Sequence, residues 1–193
     1  MPDTPILFVT GLGRCGTTMV MQMLHTAGVP CAGTYPAFED IPVAPSGVDH
    51  DWLARQAGRA VKWIDPTVTH VRHRNGAAIF LTRDPAEQAR SQLKMLGASQ
   101  DRATRRLLER AIRRDTRRAR AIVTNLFGAH FVRQVHYDKA LRNPLIAAAD
   151  IAALCDNLGL PFGRIEDAAA VVHERDGKCR PDMRVELDML GGI

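Results

Sequence analysis

The 193-residue sequence has few aromatic side chains, no cysteine pairs at short spacing and no long apolar runs. Aromatics make up 5% of the chain, and none falls among the nine arginines between Arg102 and Arg120. Stacking platforms for single-stranded bases are therefore missing, and nucleic acid is disfavoured as a partner. The four cysteines (Cys15, Cys31, Cys155, Cys179) form no C-x-x-C pair and have no histidine at zinc spacing. They read as free thiols of a reducing compartment rather than a disulfide scaffold or zinc site. His70 and His73 form an i, i+3 pair without a third ligand, so they read as surface residues and no metal is expected. No apolar stretch approaches the roughly 18 residues of a membrane span. Met1 to Pro5 carries no basic leader before the first apolar run, so no secretory signal is expected and the cytoplasm is the expected location.

What is present fits one domain over residues 1–193, with 46% hydrophobic and 24% charged residues. The formal charge of +5 favours anionic ligands without choosing among them. The organising stretch is Ile6 to Ala27. Ile6 to Thr10 has strand character, Gly11 to Gly16 is a glycine-rich turn, and Met19, Val20, Met23, Leu24 and Ala27 recur at helical spacing. Gly28 then ends the helix. A strand, a glycine loop and a helix start together make a cradle for phosphate, because backbone N–H groups and the helix dipole face the anion. Gly11 and Gly16 keep the spacing of a nucleotide-triphosphatase loop, but Thr17 stands where its lysine belongs and Thr18 follows. The cation lies inside the loop, at Arg14. Hydrolysis of ATP or GTP is accordingly disfavoured.

A second strand-to-helix transition carries Arg83-Asp-Pro, with Ser91 eight residues after Arg83. Ala77 to Thr82 reads as a buried strand, and Pro85 begins a helix where its missing N–H costs nothing. Arg83 then sits at the strand's C-terminal edge, where open α/β sheets place ligands. Arginine offers a fork for a phosphate dianion, and Ser91, about two turns on, adds a hydroxyl.

These two motifs, in this order, resemble the sulfotransferases that use 3′-phosphoadenosine-5′-phosphosulfate (PAPS). Gly11-Leu-Gly-Arg-Cys-Gly-Thr-Thr18 is similar to their 5′-phosphosulfate loop, and Arg83 with Ser91 to their 3′-phosphate site. Phe131 to Tyr137, the following Asp-Lys-Ala-Leu, and Leu158-Gly-Leu-Pro161 resemble a further block of the family that is mostly structural. The resemblance implies a three-layer α/β/α P-loop domain with a mostly parallel sheet of four or five strands, strand one central. It also implies sulfuryl transfer from PAPS to a hydroxyl or amine of a small-molecule or glycan acceptor, anionic acceptors included, leaving adenosine 3′,5′-bisphosphate. In that scheme Gly13, Arg14, Cys15, Gly16, Thr17 and Thr18 hold the 5′-phosphosulfate, and Arg14 neutralises charge on the leaving phosphate. No metal is called for.

Other positions follow from the same resemblance. Lys62, inside the apolar strand Ala60 to Ile64, reads either as an edge-strand lysine reaching solvent or as a second cation near the sulfuryl group. Glu39 is the choice for the acceptor's general base, with Asp40 as substitute, on a proline-rich loop that also carries Tyr35 and Phe38. Thr34 and Tyr35 fall nearest the family's own place for that base. Arg175, Gly177 and Lys178 resemble a C-terminal loop over the 3′-phosphate. Cys15 replaces the family's loop serine, and its place beside Arg14 and a helix start predicts a lowered pKa and an oxidisable site. Residues 102–126 predict one amphipathic helix whose arginines form a solvated face or dock an anionic acceptor. The competing readings are a P-loop small-molecule kinase, a catalytically inactive nucleotide-binding protein of this fold, and a polyanion-binding protein.

Overall fold

The computed structural model describes residues 4–39, 42–44 and 47–173. Strand β1 (Ile6–Gly11) is buried along its whole length and runs into helix α1 (Thr17–Thr26). A two-residue hairpin, β2 (Val43–Ala44) and β3 (Gly47–Val48), precedes α2 (His50–Ala54) and β4 (Ala60–Ile64). Then come β5 (Gly76–Thr82), α3 (Pro85–Met95), the long α4 (Arg102–Phe127) and β6 (Val132–His136). Three helices finish the described chain: α5 (Tyr137–Arg142), α6 (Pro144–Asn157) and α7 (Ile165–Ala170).

The main sheet has the order β4-β1-β5-β6, with every pairing parallel. Successive side chains of a strand point to opposite faces, so the apolar runs feed two cores. Leu7, Val9, Ile79, Leu81 and Val135 pack with Val20, Leu24, Ile151 and Ala168 from α1, α6 and α7. Ile6, Phe8, Val61, Trp63 and Phe80 pack with Leu53, Ala89, Ile112 and Val123 from α2, α3 and α4. Phe8 stacks on Phe127 at 5.2 Å and meets Trp63 edge-on at 5.7 Å. Burial of one such ring contributes about 1.5–3 kcal/mol. The three-layer α/β/α architecture, the parallel sheet and the central first strand are as the sequence predicts.

Helix α2 stops after Ala54, in a turn that includes Gly58 at φ 74°. In the block Phe131 to Tyr137 only Val132 to His136 is strand: Phe131 closes a 3₁₀ turn, and Tyr137 opens α5. Tyr137 is 5% exposed because its ring lies against the glycine loop.

Candidate functional site

The C-terminal ends of β1, β5 and β4 bring the two motifs together. The loop after β1 turns sharply: Arg14 has φ 67°, and Gly16 has φ 104° as the N-cap of α1. A Cβ on Gly16 would stand 2.4 Å from Cδ2 of Tyr137, so only glycine fits there. No side chain caps α1, which leaves its first N–H groups facing the loop. Thr17 is buried and Thr18 half-buried.

Helix α3 pins this loop. Its start is set by Pro85 and by Asp84, whose carboxylate accepts from the N–H groups of Ala86 and Glu87, both at 3.0 Å. Gln88 and Gln92, four residues apart on one face, both donate to the Gly13 carbonyl, at 2.7 and 2.9 Å. Ser91, between them, accepts from Nε of Arg14 at 3.2 Å. The sequence reading missed the two glutamines. A polar i, i+4 pair flanking Ser91 was the available signal.

Arg83 leaves the end of β5 half-buried. Its Nη1 donates to the Arg14 carbonyl at 3.4 Å, and its guanidinium carbon lies 4.7 Å from the Tyr137 ring centroid. Its Nε is buried without a hydrogen-bond partner among the described residues, as is the Thr10 hydroxyl of β1. Tyr137, which closes the block that the family resemblance marks as mostly structural, thus touches both motifs. It fills the space beside Gly16 and supports Arg83 by a cation–π contact.

Lys62 does not reach solvent, although β4 is an edge strand; its side chain is 2% exposed. The chain after α1 closes that edge. Ala60 donates to the Pro30 carbonyl at 2.7 Å, and Ala32 to the Ala60 carbonyl at 2.8 Å. The continuation, Thr34 to Glu39, then covers Lys62. Its ammonium donates to Thr18 Oγ1 and to the Ala37 carbonyl, both at 2.9 Å, and is ion-paired with Glu39. The solvent-reaching alternative for Lys62 is therefore wrong. Glu39 is held next to the loop helix through Lys62. Asp40, Arg175, Gly177 and Lys178 lie outside the described residues.

Cys15 corrects an expectation. Its thiol is 1% exposed and turned into the apolar core beneath Gly11, where an added Cβ would meet its sulfur at 2.6 Å. Burial pushes its pKa up to about 12, against the lowering influence of the Thr17 backbone N–H and of Lys62 and Arg83. The thiol is protonated and shielded, so the predicted low-pKa, oxidisable group is absent. Among the described residues no group of three or more His, Cys, Asp or Glu is placed to hold a metal ion. His70 is exposed, and His73 bonds the Asn75 carbonyl at 3.1 Å. None of the described helices is long and apolar enough to cross a membrane.

Comparison of the whole fold with solved structures decides the architecture. A sulfotransferase from Alicyclobacillus acidocaldarius aligns over 96% of this chain and 90% of its own, with TM-score 0.55 and 15% identity. The sulfotransferase domain of the Synechococcus PCC 7002 olefin synthase aligns over 95% and 83%, with TM-score 0.60 and 15% identity. The chain has the sulfotransferase fold. A third structure of similar fold, retinol dehydratase in complex with androsterone and the inactive cofactor PAP, has TM-score 0.51 and 15% identity. This chain covers 64% of it, and 89% of this chain is matched. No family model and no curated protein sequence matches the chain. Within the sulfotransferase fold, the loop after β1 and the Arg83–Ser91 segment occupy neighbouring strand ends of one sheet edge.

Proposed function

We propose that the protein transfers a sulfuryl group from PAPS to a hydroxyl or amine of a small-molecule or glycan acceptor. The observation that carries this reading is the convergence of Arg14, Ser91 and Arg83, with a buried Arg83 Nε that lacks a partner among the described residues. A buried guanidinium N–H without an acceptor is costly, and an anion at this position would satisfy it. The residues offer a phosphate-bearing donor two arginines, Arg14 on the glycine loop and Arg83 at the end of β5. PAPS held by these residues would supply an activated sulfuryl group, with adenosine 3′,5′-bisphosphate as the leaving group.

The chain's own residues do the positioning. Loop N–H groups from Gly13 to Thr18 and the Thr17 and Thr18 hydroxyls hold the 5′ end, with the dipole of α1 behind them. Arg14 balances charge that grows on the leaving phosphate. Arg83 and Ser91 take the 3′-phosphate, the group that separates this donor from AMP and ATP. Lys62 joins the donor side at Thr18 to the acceptor side at Glu39. Glu39 would take the acceptor proton, its carboxylate held by the ion pair with Lys62.

Calorimetric titration with adenosine 3′,5′-bisphosphate, AMP and ATP with magnesium tests the reading. Selective binding of the bisphosphate is expected, weakened about 100-fold or more in Arg83→Ala, as loss of a charged fork implies. Transfer of labelled sulfate to an alcohol or glycan panel follows. Binding of ATP-magnesium in preference to the bisphosphate would replace this reading with the kinase-like one. Bisphosphate binding without transfer to any acceptor would make the chain a nucleotide-binding protein of this fold.

A further inference from the structure

Helix α4 carries charge that the donor site does not use. At 100° per residue, Arg102, Arg106, Arg110, Arg113, Arg117 and Arg120 fall within an arc of about 80° and form a row roughly 27 Å long. All six are exposed. Only Arg113 is ion-paired, to Glu109 at 2.6 Å; the other five have no acidic partner among the described residues. A solvated face would gain from alternating signs along the helix, and this row has one sign throughout.

The row ends at a groove. Arg117 and Arg120 line a space of about 440 Å³ between α4 and β6, the outer strand of the sheet. Val132, Ala121 and Ala129 give it apolar surface, while Thr124, Asn125 and Gln134 supply hydroxyl and carboxamide groups. A sugar ring has these two needs, an apolar patch for its C–H face and neutral donors and acceptors for its hydroxyls. Arginines beside the groove match a carboxylate or sulfate on the same ring. The row then continues the charge match along a linear chain. The row carries no aromatic, and Phe127 of α4 is buried against Phe8, so α4 offers no stacking platform for bases.

We propose that the α4 row and the α4–β6 groove form a docking surface for an acidic oligosaccharide bearing sulfate or carboxylate groups, with one sugar seated in the groove. The surface is separate from the donor cradle, and none of its residues belongs to the sulfuryl-transfer reading. If that reading concerns a glycan, this surface names the acceptor's class.

Fluorescence anisotropy with a labelled chondroitin sulfate octasaccharide tests it, beside neutral maltooctaose and a single-stranded DNA of comparable charge. Binding of the sulfated chain alone is expected at physiological salt. Arg106→Gln/Arg117→Gln should weaken it about tenfold, whereas Arg105→Gln/Arg118→Gln, the same charge change off the row, should change it less than about threefold. Asn125→Leu/Gln134→Leu should weaken the oligosaccharide without affecting residual DNA binding. Equal loss in both arginine pairs would reduce the effect to net charge and overturn the proposal, as would tighter binding of DNA. Thermal melts and bisphosphate titration of the same variants distinguish the two sites. A chain that binds no bisphosphate leaves the oligosaccharide arms intact, and loss of both ligands together would overturn a surface confined to α4 and β6.

Discussion

Gly16 and Cys15 are neighbours with opposite constraints. Gly16 must adopt φ 104° and leave room for Tyr137 at 2.4 Å from where its Cβ would stand. Gly16→Ala should therefore destabilise the fold by about 2 kcal/mol or more, and bisphosphate titration should show the cradle lost as well. Cys15 faces inward with Cys31 and Cys155, and burial pushes each of the three thiols from an ordinary value of 9.0 up to about 12. The folded state thus holds these protons more tightly than the unfolded chain. That stabilisation is fully present below pH 9 and is lost as pH rises from 9 towards 12. Melting curves between pH 8 and pH 11.5 should show a falling midpoint. In a Cys179→Ser background, a thiol-reactive disulfide reagent at pH 8 should label the native protein slowly and the denatured protein fully.

At the scale of elements, α3 acts as a clamp on the loop between β1 and α1. Gln88 is 2% exposed and shares the Gly13 carbonyl with Gln92. Each bond contributes about 1 kcal/mol, and one can cover for the other at the shared acceptor. Single alanine substitutions should cost little bisphosphate affinity, and the double Gln88→Ala/Gln92→Ala variant more than the sum of the two. The helix α4 has its own dependence on pH. Asp101 caps its start by accepting from Ala103 and Thr104 N–H groups and from the Thr104 hydroxyl. The Thr104 hydroxyl and backbone N–H, then Ser99, hold its carboxyl well below the usual carboxylate range. Stabilisation by this cap is present above pH 4 and is lost as pH falls through the lowered value. Asp101→Asn should flatten that part of the acid titration of helicity, read by circular dichroism.

For the molecule as a whole, Lys62 links β4, the head of α1 and the segment Ala37–Glu39 into one unit. Lys62→Met would leave Glu39, 13% exposed, without its partner, at a cost of about 3 kcal/mol by analogy with broken buried pairs. Lys62→Met/Glu39→Gln should recover much of that stability in urea unfolding but no sulfuryl transfer. Recovery of both would remove Lys62 and Glu39 from the mechanism. The sequence alone determined the architecture and the strand, glycine loop and helix from Ile6 to Thr26, because both are written in short-range code. Apolar runs of strand length alternate with helical periodicity, and glycine, proline and Asp84 mark where strands give way to helices. It also put Arg83 and Ser91 on one strand-to-helix transition, since Pro85 and Asp84 mark the start of α3. Only the tertiary structure decided what distant segments do to each other. It turned Cys15 inward, placed Tyr137 between Gly16 and Arg83, set Gln88 and Gln92 on Gly13, and closed the edge of β4 over Lys62. Burial and long-range contact set those outcomes, and both depend on which segment lies across the sheet, which local spacing does not encode.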